Sequence, residues 1–360
     1  MKKILTLVLA IVMLMSITMT GCSDVAPGDS AGTTTVATEA ATTVATEAAT
    51  TAAMAAETTA AVIADTNSDG EVTIGMSIPQ LANPYFVAVM NGAQDTCDKL
   101  GYKLTVVDAG YDVAKQVSDF ENFGNQGVDA VIACPIDSNA LVTVVDQLHA
   151  KGIIVVSFAQ VIENANAIFT LDEYSYGCII GENAAKWINE KLGGEADVLI
   201  ISQDNVEAVV KRGDGIQETI EKLCPNAKIV ARQAGDNPEK GMQITEDIMQ
   251  QYPNVKVIVG NNDAGPLGAY EAIVGMGKNT DDFFIGGADA TPEAIQKMKE
   301  NGSVYRATVD IAPYGTGKDC VNAIADFIAN GIPDKPEISS FAMIPVWQED
   351  VLAGWTPQGS

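Results

Sequence analysis

Histidine is nearly absent from this sequence, and positive charge is scarce. Its 360 residues include a single His, and 21 Lys and Arg stand against 47 Asp and Glu, for a formal net charge of −26 at pH 7. A lone histidine excludes catalysis by two imidazoles and argues against a histidine-based metal site. Phosphate binding needs clustered Lys and Arg, so a nucleic-acid partner is excluded as well. We therefore expect no metal, no cofactor and no nucleic acid.

Sequence motifs for nucleotide binding or nucleophilic catalysis are also missing. No GxGxxG, no GxxxxGK[ST] and no GxSxG occurs. Apart from Cys22, the number of cysteines is odd and no CxxC is present, which predicts buried unpaired thiols: Cys97, Cys134, Cys178, Cys224 and Cys320. The stretch 65–70 has the spacing of a calcium loop, but Met76 stands where the closing Glu is required. We interpret it as the end of a polar tether.

The N-terminal 71 residues have the features of a targeting segment and a tether. Lys2 and Lys3 precede an apolar run at 4–19, which is too short for a membrane span. The run ends at Met19-Thr-Gly-Cys22, which resembles a bacterial lipobox and implies lipidation of Cys22. An ordinary secretory signal with a chance cysteine is the alternative. The octapeptide TTVATEAA at 34–41 repeats at 42–49. We therefore predict a signal peptide at 1–21 and a disordered tether at 22–71.

From Val72 onward, apolar strands alternate with amphipathic helices. The predicted strands are 72–78, 104–108, 129–134, 153–158, 167–171, 196–202, 227–232, 255–260, 282–287 and 304–309. Continuous apolar runs separated by helices predict parallel sheets covered on both faces. This number of strands is larger than one open sheet usually contains, and we therefore expect two α/β lobes. Ligands of such sheets bind beyond the carboxyl ends of the strands.

The loops at those strand ends carry short motifs in a specific order. They are LANPYF at 81–86, CPIDS at 134–138, NNDA at 261–264, ADATPEA at 288–294 and ATVD at 307–310. Together they resemble the extracytoplasmic ribose/galactose-type solute-binding proteins of bacterial ABC importers, over residues 72–345. The resemblance implies a type I periplasmic-binding-protein fold, with two doubly wound parallel-sheet lobes and a three-crossing hinge. The lobes would be 72–171 with 309–339, and 172–308 with 340–360. The crossings would fall near 171–172, 308–309 and 339–340.

The resemblance also implies a ligand site between the lobes. Its residues would be Asn83, Tyr85, Phe86, Asp137, Gln160, Asn262, Asp289 and Asp310. Amide and carboxylate groups can bind paired hydroxyls, and aromatic rings cover the C–H face of a sugar. Two alternatives stay open here. Phe86 also fits plain core packing, and one residue of the pair Asn262 and Asp263 can cap a helix instead.

Two departures from the family pattern bear on the ligand. Many relatives carry Asp-Arg where this chain has Ala159-Gln160, and an Arg where it has Val210. Both guanidiniums of the usual site are therefore expected to be missing. Asp236 and Asp310 are expected to repel an anion, with no nearby cation to offset them. A neutral sugar or polyol is the predicted ligand.

The function that the resemblance implies is capture and delivery without chemistry. The protein would be a monomeric lipoprotein outside the cell membrane, held there only by its lipid, and would hand a sugar or polyol to an ABC permease. One alternative is a receptor that presents its ligand to a chemosensor or a sensor kinase. Another is an exported sugar-acting enzyme, with Asp289 and Asp310 as its carboxylate pair.

Overall fold

The computed structural model describes residues 70–359. The signal peptide, Cys22, the tether repeats and residues 65–69 of the calcium-like stretch lie outside the described residues. Among the residues described, no helix combines the length and apolarity needed to cross a membrane. In the same part of the chain, no group of three or more His, Cys, Asp or Glu is placed to hold a metal ion.

Strands and helices alternate along most of the described chain. The strands are β1 (Thr73–Ile78), β2 (Lys103–Asp108), β3 (Ala130–Ala133), β4 (Ile154–Ala159), β5 (Ala167–Thr170), β6 (Asp197–Ser202), β7 (Lys228–Ala234), β8 (Val255–Gly260), β9 (Phe284–Gly286), β10 (Tyr305–Asp310), β11 (Glu337–Ser340) and β12 (Ile344–Trp347). The helices are α1 (Pro84–Leu100), α2 (Val113–Gln126), α3 (Ser138–His149), α4 (Glu173–Lys191), α5 (Glu207–Leu223), α6 (Pro238–Gln251), α7 (Ala264–Gly275), α8 (Pro292–Lys299), α9 (Pro313–Asn330) and α10 (Gln348–Leu352).

The strands form two six-stranded sheets, which confirms the two-lobed α/β prediction. The first sheet has the order β11-β5-β4-β3-β1-β2, and the second has the order β12-β10-β9-β8-β6-β7. All neighbours in the first sheet are parallel. In the second sheet only the β10–β12 pair is antiparallel. The central strands are buried along most of their length, as expected for sheets covered by helices.

The chain passes between the two sheets three times. It leaves the first sheet after β5, returns to it after β10, and leaves it again after β11. The second crossing lies further along the chain than the position at 308–309 that the sequence predicted. Asp310 is still paired with Ile344 of β12, so residues 309 and 310 belong with the second sheet. The chain changes sheets only beyond Asp310.

Glycines let three pairs of helices approach to backbone contact. A Cβ atom at Gly92 of α1 would lie 1.9 Å from the backbone oxygen of Tyr314 in α9. A Cβ at Gly177 of α4 would lie 2.0 Å from the backbone oxygen of Arg212 in α5, and one at Gly268 of α7 would lie 1.9 Å from that of Pro238 in α6. The contact between α4 and α5 matters for function, because it fixes where α5 places Arg212.

The predicted unpaired thiols are confirmed. All five cysteines of the described chain are free, four of them buried and Cys178 half-buried. Cys97 and Cys320 lie in the main apolar core, and burial raises the pKa of Cys97 to about 11. These thiols pack as small apolar groups.

Candidate functional site

A cleft lies between the lobes, at the carboxyl ends of strands from both sheets. Only about 50 Å³ inside it is accessible to a water-sized molecule, so the two walls lie close together. The first lobe contributes Pro79, Asn83, Tyr85, Phe86, Tyr111, Cys134, Pro135, Ile136, Ala159, Gln160 and Leu171. The second contributes Gln203, Val206, Val209, Arg212, Asn262, Asp289 and Ile311.

The start of α1 supplies one end of the first wall. Asn83 caps the helix, because its side-chain oxygen accepts a hydrogen bond from the Tyr85 backbone N–H at 2.9 Å. Tyr85 is 5% exposed, and its buried hydroxyl has no hydrogen-bond partner. Burial raises the pKa of Tyr85 well above its usual value. Phe86 packs edge-on against Tyr85 and Phe158 and also reaches the cleft. It therefore belongs both to the core and to the cleft lining, the two places that the sequence left open for it.

Asp289 is the central acidic group of the opposite wall. Its carboxylate accepts a hydrogen bond from the Tyr176 hydroxyl at 3.0 Å. Its φ of 99° is unusual for a residue other than glycine, and such strain concentrates at functional sites. Burial raises the pKa of Asp289 well above its usual value, and the nearby Arg212 partly opposes this. Asp289 therefore presents a buried carboxyl to the cleft, with Tyr176 bound to one of its oxygens.

Arg212 corrects the expectation that the cleft contains no guanidinium. Its Nε donates to Glu173 at 2.6 Å, and its Nη1 donates to the backbone oxygen of Asn261 at 2.8 Å. The guanidinium also stacks 4.6 Å from the centre of the Tyr176 ring. Burial lowers the pKa of Arg212, but its ion pair with Glu173 outweighs burial and raises it overall. Gln160 donates to the other oxygen of Glu173 at 2.9 Å.

Asn262 combines the two roles that the sequence left open for the pair Asn262 and Asp263, because it caps the start of α7 and also lines the cleft. The side-chain oxygen of Asn262 accepts from the Gly265 backbone N–H at 3.2 Å, while its buried amide nitrogen has no partner. Asp263 instead holds the lobe together, accepting from the hydroxyls of Tyr305 at 2.7 Å and Thr308 at 2.9 Å. Burial raises the pKa of Asp263 to about 6. Asn262 is thus the residue of this pair that faces the cleft.

Two predicted site residues lie elsewhere. Asp137 is exposed and caps α3, accepting from the backbone N–H of Asn139 at 2.9 Å, so it lines an outer groove rather than the cleft. The Asp310 carboxylate accepts from the backbone N–H groups of Ala312 at 2.7 Å and Gln358 at 2.8 Å. It is therefore committed to the hinge and the C-terminal segment, although the backbones of Asp310 and Asp289 lie side by side in a parallel bridge.

Part of the cleft was not predicted from the sequence. Val206, Val209 and Arg212 lie three residues apart at the start of α5 and along it, and all three reach the cleft. This spacing places side chains on one helix face, so the sequence pattern could have predicted that these three residues line the same surface. Gln203 and Tyr111 face each other across the cleft, with the Gln203 amide donating to the Tyr111 hydroxyl at 3.4 Å. With the Gln80 amide donating to the Asp236 backbone oxygen at 3.1 Å, this contact joins the lobes.

Comparison with known proteins shows which family has this architecture. The family model described as periplasmic binding protein domain matches residues 74–331. The chain belongs to this periplasmic binding protein family. The ribose import binding protein of Bacillus subtilis strain 168 is 33% identical over 273 residues, covering 75% of this chain and 86% of that protein. The D-allose-binding periplasmic protein of Escherichia coli K12 is 28% identical over 266 residues, covering 70% of this chain and 83% of that protein.

Solved periplasmic binding proteins share the type I fold, as predicted. An ABC transporter solute-binding protein of Bacillus halodurans with bound myo-inositol has a TM-score of 0.67 and 26% identity, covering 79% of this chain and 97% of that one. The myo-inositol-binding protein of Caulobacter has a TM-score of 0.68 and 26% identity, covering 78% of this chain and 95% of that one. Both were solved with a neutral cyclic polyol bound.

Proposed function

We propose that this protein captures a small neutral sugar or polyol between its lobes and delivers it to an ABC import permease. The observation that carries the proposal is the set of unsatisfied polar groups in the cleft. The Tyr85 hydroxyl and the Asn262 amide nitrogen are buried without partners, and the Asp289 carboxylate lies in the same cleft. Buried polar groups are normally hydrogen-bonded, so these groups fit a ligand that carries hydroxyls.

The charge of the cleft favours a neutral ligand. Arg212 is the only cationic residue among those that the structure places in the cleft lining, and Glu173 already neutralises it at 2.6 Å. Asp289 adds an acceptor rather than a cation. The ligands named for the relatives, which are ribose, D-allose and myo-inositol, are neutral polyhydroxyl compounds and support the same class.

Capture without chemistry is the activity that we propose. The relatives compared above are binding proteins. Backbone N–H groups bind the Asp310 carboxylate, which is not among the residues lining the cleft, and this speaks against its use with Asp289 as the carboxylate pair of a sugar-acting enzyme. We propose that the protein works outside the cell membrane as a monomer.

A thermal-shift screen with D-ribose, D-allose, myo-inositol and related polyols tests the proposed ligand class. A ligand present at about 100 times its Kd stabilises the folded state by about 2.7 kcal/mol, so Tm is expected to rise by several degrees. Glutamate at the same concentration is the charged control and is expected to leave Tm unchanged. If no monosaccharide or polyol raises the Tm of the folded protein, the proposed function is wrong.

Lipidation of Cys22 is a separate prediction, based on the Met19–Cys22 pattern. In cells, Cys22→Ala is expected to move the protein from the membrane fraction to the soluble fraction, because the substitution removes the lipid attachment point. Fractionation followed by immunoblotting measures the shift. Ser23→Ala, next to the same position, is the matched control and should stay with the membrane. Equal membrane retention of wild type and Cys22→Ala would rule out the anchor.

A further inference from the structure

Most side chains lining the cleft are apolar, although the proposed ligands are rich in hydroxyls. Apolar residues from both lobes meet there: Pro135, Ile136 and Leu171 from the first, and Val206, Val209 and Ile311 from the second. Resting on the proposed function, we propose that the ligand is a sugar ring or cyclic polyol that carries one uncharged apolar substituent. The ring would occupy the polar end of the cleft, and the substituent would lie against these apolar side chains.

Several polar atoms of the cleft are already bound within the protein. The side-chain oxygen of Asn83 caps α1, and the amide nitrogen of Gln160 is bound to Glu173. Arg212 uses its Nε and Nη1 on Glu173 and the backbone of Asn261. A hydroxyl buried against apolar side chains without a hydrogen bond weakens binding. An apolar substituent avoids that loss.

Helix α5 gives the cleft a polar end and an apolar end. Val206, Val209 and Arg212 follow one another at intervals of three residues on one side of the helix. At 1.5 Å per residue, Val206 lies roughly 9 Å along the axis from Arg212. The guanidinium stacks on Tyr176, whose hydroxyl binds Asp289, so these polar groups gather at the Arg212 end. At the Val206 end, the Gln203 amide is already hydrogen-bonded to the Tyr111 hydroxyl. The valines mark the other end, where the substituent would lie.

An outer groove continues from the apolar end and leaves room for a substituent. The residues that line both the cleft and this groove include Tyr111, Pro135, Ile136, Gln160, Leu171 and Val206, and the accessible volume of the groove is about 770 Å³. The charged residues of the groove are mostly acidic: Asp137, Asp172, Glu173 and Glu207, with Lys211 as the cation among its lining residues. This charge favours a neutral substituent over a phosphate or a carboxylate.

Matched pairs of ligands test the proposal. Isothermal titration of the purified protein would compare D-ribose with its methyl glycoside, with 5-deoxy-5-methylthio-D-ribose and with D-ribose 5-phosphate. Myo-inositol and a mono-O-methyl ether of it form a second pair. We expect at least one apolar derivative to bind roughly 5- to 30-fold tighter than its parent, from the apolar area that it buries. The phosphate is expected to bind more weakly than ribose.

Two valine variants locate the substituent. Val209→Thr puts a hydroxyl into the apolar end of the cleft and is expected to reduce the preference for the derivative roughly fivefold. Val210→Thr makes the same change at a neighbouring residue outside the cleft lining and should keep the preference. The proposal of an apolar substituent would be wrong if the parent sugars and polyols bound as tightly as their derivatives. It would also be wrong if Val209→Thr kept the preference for the derivative. Either result would leave the proposed function standing. No binding by any sugar or polyol would overturn both.

Discussion

Replacing Asp289 by alanine is expected to weaken binding of the sugar or polyol by roughly 10- to 150-fold. A hydrogen bond to a charged group contributes about 1.5–3 kcal/mol, and the carboxylate can accept from two adjacent hydroxyls at once. Asp289 is 3% exposed and lines the cleft, where Tyr176 binds one of its oxygens at 3.0 Å. Isothermal titration with the best ligand of the thermal-shift screen measures the loss.

Two further variants separate binding from folding. Asp289→Asn keeps the shape of the side chain and one acceptor oxygen, so its loss should be smaller than that of Asp289→Ala. Asp112→Ala removes a carboxylate that caps α2 outside the cleft, at a distance of 3.0 Å from the Lys115 backbone nitrogen. It should cost stability but not affinity. Full affinity in a folded Asp289→Ala protein would show that the ligand binds elsewhere.

The sequence predicted strands β1 to β10 but missed the two edge strands β11 and β12, for a physical reason. Central strands such as β4 and β8 are buried on both faces and therefore appear as continuous apolar runs. Strand β11 is exposed along its whole length, and half of β12 is exposed. Edge strands like these leave no apolar run to recognise. The shifted second crossing has the same origin, because β12 is what keeps Asp310 in the second sheet.

The cleft was predictable where strand ends lead directly into it. Asn83, Gln160, Asn262 and Asp289 all follow a strand, and the structure places all four in the cleft lining. Asp310 is the last residue of β10, but two backbone N–H groups bind its carboxylate. A rule about strand ends places a residue at the correct edge of the sheet without specifying which way its side chain turns. Arg212 was missed for the opposite reason, since it reaches the cleft from within a helix.

The glycine after β9 illustrates the same limit. In the structure, a Cβ atom at Gly287 would lie 2.2 Å from the Tyr305 hydroxyl and 2.4 Å from Asp263 Oδ1. The glycine therefore makes room for the buried hydrogen bond between those two side chains. That contact joins residues distant in sequence, and no local pattern reveals it.

The largest loss of stability is expected from Arg212→Met. Arg212 and Glu173 form an ion pair at 2.6 Å, with side chains that are 8% and 10% exposed. Methionine fills similar space but leaves the Glu173 carboxylate buried without its cation, and breaking a buried pair from one side costs about 3–5 kcal/mol. Urea unfolding followed by circular dichroism measures the change in the free energy of unfolding. Lys211→Met, at the exposed neighbouring position on α5, should change it by less than about 0.5 kcal/mol.

The double variant Arg212→Met with Glu173→Gln distinguishes the ion pair from simple packing. If the loss comes from the uncompensated charge of Glu173, neutralising that residue should restore most of the stability lost in Arg212→Met. The Gln160 amide would still have an oxygen to bind at position 173, where it now donates at 2.9 Å. A double variant as unstable as Arg212→Met would instead mean that α5 needs the guanidinium for its contacts with Tyr176 and the Asn261 backbone. Arg212 would then act mainly by packing, and its ion pair with Glu173 would contribute little to stability.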